Sequence, residues 1–120
     1  MKLRIEIEVI PHSKQRYPTL GDYFWDENGV LQVRVSDMNN QYFEGMVIVH
    51  ELIEELLTRF KGIPEEEIQK FDIENLDSDD PGSLEDAPYH LEHMFALEVE
   101  KAMCEYMGFT WEEYDEINYN

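Results

Sequence analysis

Along the first third of the chain, hydrophobic and polar residues alternate. Leu3, Ile5, Ile7 and Val9 are interleaved with Arg4, Glu6 and Glu8, which predicts a half-buried strand over about residues 2–10. Residues 30–36, Val30-Leu31-Gln32-Val33-Arg34-Val35-Ser36, repeat the pattern. The connection between them carries Pro11, Pro18 and Gly21, then Asn28-Gly29, a tight-turn pair. A further short strand over 22–26, entering a hairpin, follows from that turn.

From Asn40 the period lengthens to that of a helix, which runs to about Lys61 and ends at Gly62. A second helix is expected over about 64–75, with Pro64 early and Glu65, Glu66 and Glu67 near the positive end of its dipole. An acidic loop over 77–87 precedes a third helix, 88–107, stopped by Gly108. Thr110 is placed to cap a short last helix over 110–117. The expected fold is α+β in one domain, 1–120: a small antiparallel sheet of two to three strands on two long helices, with short helices besides.

Composition narrows the function. The net charge is −19, with −3 on residues 1–61 and −16 on residues 62–120. Such a surface repels phosphate backbones, so direct nucleic-acid binding is not expected, whereas a peptide or basic protein partner is. No apolar run is long enough to span a membrane, and the charged N-terminal segment does not read as a signal peptide. The single cysteine, Cys104, excludes an internal disulfide and suits a reducing compartment, so the cytoplasm is expected.

Two helices place polar residues where their pattern requires apolar ones. Advancing each residue by about 100° puts Met46, Val47, Val49, Ile53, Leu57 and Phe60 on one arc of the first long helix. His50 and Glu54 sit inside that arc and Glu51 at its border, with Glu55, Thr58 and Arg59 opposite. In the helix at 88–107, His93 and Glu100 lie among Tyr89, Ala96, Leu97, Val99, Met103, Cys104 and Met107, and His90 lies toward the edge. One inward histidine is usually a hydrogen-bonded core residue, and one inward glutamate can pair with Arg16 or Arg34. Four such residues on two inner faces point instead to a shared divalent cation, because unpaired buried carboxylates are costly. His50, Glu54 and His93 have the His₂Glu composition of a zinc centre, and Glu100 is a fourth ligand or an acceptor behind a histidine.

His50-Glu51-Leu52-Ile53-Glu54 reads H-E-x-x-E and resembles the zincin metallopeptidase motif H-E-x-x-H, with a glutamate replacing the second histidine. The resemblance implies a zinc-dependent hydrolase in which Glu51 is the general base and a preceding strand such as 30–36 aligns an extended substrate. The substitution adds negative charge to the ligand set and departs from the peptidase pattern. A wider resemblance rests on Arg16-Tyr17, Gly21-Asp22-Tyr23, Val49 to Glu54, Phe71-Asp72, Asp80-Pro81-Gly82, Ala87-Pro88-Tyr89, Glu92-His93, Ala96, Glu100, Trp111 and Tyr114. These are similar to a group of small phage- and prophage-encoded proteins. That similarity implies an accessory protein acting inside a bacterial cell, and it supplies no substrate.

Two other readings follow from the same residues. In one, the protein is a non-catalytic, DNA-mimic-like inhibitor of a host factor, its metal structural or absent. In the other, Glu51, Glu54 and Glu55 hold magnesium for nucleotide hydrolysis, which the strands and inward histidines disfavour. Asp77-Ser78-Asp79-Asp80-Pro81-Gly82 has a calcium-loop flavour, but Pro81 takes a ligand position, so a solvated acidic loop is expected there. Arg16 and Tyr17 are candidates to orient a site carboxylate.

Overall fold

The computed structural model describes residues 1–116, so the end of the last expected helix, Ile117, lies outside the described residues. The fold is α+β. Three strands, β1 (Ile5–Ile10), β2 (Gly21–Trp25) and β3 (Leu31–Ser36), are followed by four helices: α1 (Gln41–Lys61), α2 (Glu65–Glu74), α3 (His90–Tyr106) and α4 (Trp111–Asp115). The helix ends follow local chemistry. Asn40 Oδ1 accepts from the Tyr42 and Phe43 N–H groups, and Gly62 closes α1 at φ +72. Thr110 and Glu113 form a capping box on α4.

The sheet is mixed, not antiparallel as expected. Its order is β1-β3-β2, with β1 parallel to β3 and β2 antiparallel to it. The hairpin forms as expected: Asp26 Oδ1 accepts from the Asn28 and Val30 N–H groups at 2.8 and 3.0 Å, with Gly29 at φ +73. The difference arises in residues 11–20, which cross the end of β3 rather than turning β2 back onto β1. Ser36 N–H donates to Leu20 O at 2.8 Å and Asp37 N–H to Ile10 O at 2.7 Å. Gln15 Nε2 donates to Arg34 O and Leu20 O, both at 3.3 Å. Strand periodicity is the same for either neighbour, so the pattern could not reveal this crossing.

Helix α1 packs on β3 and β2 and runs alongside α3. Leu31, Val33 and Val35 form the core with Met38, Phe43, Met46, Val47, Cys104 and Tyr114. No residue of β1 is buried, contrary to the half-buried strand expected there, because the helix layer does not extend over it. A second small cluster, Ile68, Ala87 and Tyr89, ties α2 to the start of α3. No helix among the described residues is long and apolar enough to cross a membrane.

Candidate metal centre

The buried arc of α1 differs from the one the hydrophobic pattern draws. It runs from Met46 through His50, Phe43, Glu54, Val47, Thr58 and Glu51 to Glu55. At about 100° per residue this is half a turn, displaced toward the polar side. Phe60, assigned to the inner arc, is 85% exposed, while Glu55 and Thr58, assigned outward, are buried. Each inward polar group explains its own position. Thr58 Oγ1 donates to Glu54 O at 2.7 Å. Glu55 accepts from Trp25 Nε1 at 3.1 Å and Arg59 Nε at 2.6 Å. Sheet and α3 together cover two sides of α1, so partnered polar residues are buried with the apolar ones.

His50 and Glu54 meet His93 of α3 inside this layer. Their ligand-capable atoms lie within 4.8 Å of one another, and all three residues are buried, so the group can hold a metal ion. His93 Nδ1 is 2.5 Å from Glu54 Oε2 and 3.1 Å from His50 Nε2. His50 Nε2 also contacts Glu54 Oε2. The inner nitrogen of each imidazole therefore points at one carboxylate oxygen.

The outer nitrogens face carboxylates too. His50 Nδ1 contacts Glu100 Oε1, and His93 Nε2 lies 2.9 Å from Asp80 Oδ1. Neither outer nitrogen has any other partner among the described residues. Glu100 is held in turn by the Tyr114 hydroxyl, which donates to Oε2 at 2.6 Å. Of the two roles expected for Glu100, the one behind His50 is where its side chain sits. A metal-bound histidine almost always gives its second nitrogen to such an acceptor, which orients the ring.

Charge follows the contacts. Burial works against a charged His50, but hydrogen bonding to Glu100 and Glu54 overrides it and lifts the ring to about 11. His93 is likewise opposed by burial and raised to about 10 by Asp80 and Glu54. Burial pushes Glu54 up, yet the two histidines bring it below its ordinary value. Glu51 moves the other way: burial and the charge of Glu54 raise it well above the usual carboxylate range. The Glu51 carboxylate has no hydrogen-bond partner among the described residues, and it lines the same cavity as the cluster.

Two glycines make room. A Cβ on Gly82 would lie 2.4 Å from His93 Cγ, and one on Gly21 would lie 2.5 Å from Glu51 Oε1. Gly82 belongs to a 3-10 turn, Pro81–Ser83, in the loop expected to be merely solvated. That loop is a wall of the site: Asp80 reaches His93, and Gly82 O lies 3.0 Å from His90 Nδ1. His90 thereby fastens the loop and does not join the cluster. The acidic composition of 77–87 gave no sign of this role.

Neighbouring residues complete a cavity of about 290 Å³ bordered by the start of β2, α2 and residues 79–81. Asp72 accepts from Tyr89 at 2.5 Å and Tyr17 at 3.2 Å. Arg16 forms a two-bond pair with Asp22, at 2.7 and 3.0 Å. Arg16 and Tyr17 thus each hold a carboxylate, though neither touches the histidines. The strand beside the cavity is β2, not 30–36: β3 is central, with both edges paired, so it has none to offer an extended ligand. A second cavity of about 290 Å³ shares Tyr23, Glu65 and Ile68 and continues past Trp25. No family model, curated protein or solved structure matches this chain, so the site is read from its own geometry.

Proposed function

We propose that the protein is a small zinc-dependent hydrolase acting on peptide-like substrates, with His50, Glu54 and His93 as metal ligands. The observation that carries this reading is the double ordering of the histidines. Their inner nitrogens converge with Glu54, while their outer nitrogens face Glu100 and Asp80. A lone core histidine is satisfied by one such partner, whereas a metal-bound imidazole almost always gives its second nitrogen to a carboxylate or carbonyl. Imidazole and carboxylate suit zinc, whereas magnesium prefers oxygen ligands throughout.

Zinc held by three protein ligands supplies an activated water and a Lewis acid. Glu51 is the general base: it borders the cluster, lacks a competing hydrogen bond, and is adjacent to ligand His50 in sequence. An extended peptide substrate would lie beside β2, which borders the cavity and whose outer edge is unpaired in the sheet. The competing reading, an acidic inhibitor of a basic partner, rests on the net charge of −19.

Elemental analysis of tag-free protein, wild type beside His50→Ala and His93→Ala, tests the metal. The expected result is about one zinc per chain, lost in both variants. Wild-type protein that stays metal-free after zinc is added back overturns the reading. Glu51→Gln then separates the functions, since a hydrolase keeps its zinc and loses turnover. A charge-mimicking inhibitor tolerates that change and weakens with salt.

A further inference from the structure

Strand β1 is one of the two outer strands of the sheet, and both its open edge and its apolar side chains are uncovered. Leu3, Ile5, Ile7 and Val9 are 54%, 40%, 46% and 46% exposed. They lie on the face that carries the core residues Leu31, Val33 and Val35, since Ile5, Ile7 and Val9 are in register with those three. An exposed edge of this kind is a template for another strand, and soluble proteins normally blunt it.

We propose that β1 pairs antiparallel with β1 of a second copy of this chain, joining two three-stranded sheets into one sheet of six strands. The backbone directions allow it. Leu31 N–H donates to Arg4 O at 3.0 Å, and Asp37 N–H to Ile10 O at 2.7 Å. In a parallel ladder alternate residues bond to the same neighbour, so Arg4, Glu6, Glu8 and Ile10 turn their peptide groups toward β3. Leu3, Ile5, Ile7 and Val9 therefore turn theirs toward the open edge. Two such edges exchange hydrogen bonds only where these residues stand opposite one another.

Charge selects the register. With Ile5 opposite Ile5 on the two-fold axis, Leu3 faces Ile7, Arg4 faces Glu6, and Lys2 faces Glu8. Every pair across the join is then apolar with apolar or positive with negative, and each except the axial Ile5 pair occurs twice by symmetry. Sliding one step in either direction sets Arg4 against Arg4, or Glu6 against Glu6. Arg4 and Glu6 already form an exposed ion pair at 3.7 Å within one strand, with side chains 65% and 49% exposed, and the join exchanges that pair for two across the axis. The apolar residues of the two copies form a continuous strip that the helix layer leaves bare.

Sedimentation equilibrium of the full chain across the micromolar range tests the proposal. The wild type is expected to dimerise. Arg4→Glu, which sets like charges together twice, is expected to weaken the dimer about tenfold. The exchange Arg4→Glu with Glu6→Arg is expected to restore it, because the opposite charges meet again. Ile5→Pro deletes an N–H that points to the open edge and spares the ladder to β3, so a folded Ile5→Pro chain is expected to be monomeric. A wild type that stays monomeric overturns the proposal, as does a dimer indifferent to Arg4→Glu or a charge exchange that fails to restore it. A folded Ile5→Pro dimer also overturns it.

Discussion

Replacing Gly82 by alanine tests whether the loop at 79–83 is a built wall of the metal centre. The backbone there is not in the left-handed region, so the effect is steric alone. The new methyl would fall 2.4, 2.6 and 2.8 Å from Cγ, Nδ1 and Cδ2 of His93. That ring has no slack, since its two nitrogens face Glu54 and Asp80 at 2.5 and 2.9 Å. Either the imidazole tilts out of the cluster or the turn lifts and takes Asp80 with it. Overpacking of this kind costs about 1–3 kcal/mol, which for a chain of this size lowers the melting temperature by about 4 °C per kcal/mol. Losing the support behind a ligand weakens metal binding about 10–100-fold, or about 1.4–2.7 kcal/mol of zinc-linked stability.

Thermal unfolding in EDTA and at a fixed free zinc concentration separates the two parts. Gly82→Ala should melt lower in EDTA and recover less than the wild type when zinc is supplied. Gly45→Ala is the control: nothing lies within 4 Å of its added Cβ. It should stabilise α1 by about 0.5–1 kcal/mol and leave the zinc response intact. A Gly82→Ala protein with a wild-type melting temperature and a wild-type zinc shift would refute the packing argument and the role of the loop together.

Gly21→Ala should displace the Glu51 carboxylate, whose Oε1 is 2.5 Å from the new methyl, and lower turnover by about 10²–10⁴-fold while zinc content holds. Full hydrolytic activity in that variant, beside an inactive Glu51→Gln, would contradict the placement. Glu100→Gln removes the charge behind His50 and should weaken zinc at least about tenfold in a chelator competition, where an unchanged affinity would deny Glu100 that role. Asp72 gives a pH signature. Burial raises its carboxyl from 3.8 to about 6 against the lowering hydrogen bonds of Tyr89 and Tyr17. A raised carboxyl favours folding fully below the unfolded value, and that advantage is lost as pH rises from about 4 to 6, by about 3 kcal/mol at most. In urea titrations of the metal-free protein, Asp72→Asn should be relatively more stable against wild type at pH 7 than at pH 4. A pH-independent difference would show that Asp72 does not titrate in that window.

Local chemistry was legible in the residues. Asn40, Gly62 and Thr110 mark helix ends because capping is decided within a few positions. Asn28-Gly29 placed the hairpin for the same reason. The pairing of His50, Glu54 and His93 was legible because helical periodicity carries information about faces, and two inward faces of one small core must meet. The inner arc of α1 was misdrawn where that logic stops. Hydrophobicity alone cannot tell a buried glutamate with partners from a solvated one, and Glu55 and Thr58 have partners from β2 and from their own helix.

What the sequence by itself determined, then, is the type and order of the main elements, the capped helix ends, and the three residues that converge. The first two depend on spacing along a single stretch of chain, and the third adds only that two inward faces of one small core must meet. The tertiary structure decided the rest: that β1 lies beside β3 rather than β2, that β2 borders the cavity, and that Asp80 and Glu100 stand behind the histidines. Each of those depends on how residues 11–20 and 77–87 travel. Irregular segments have no period to read, and their paths are set by the surfaces they cross.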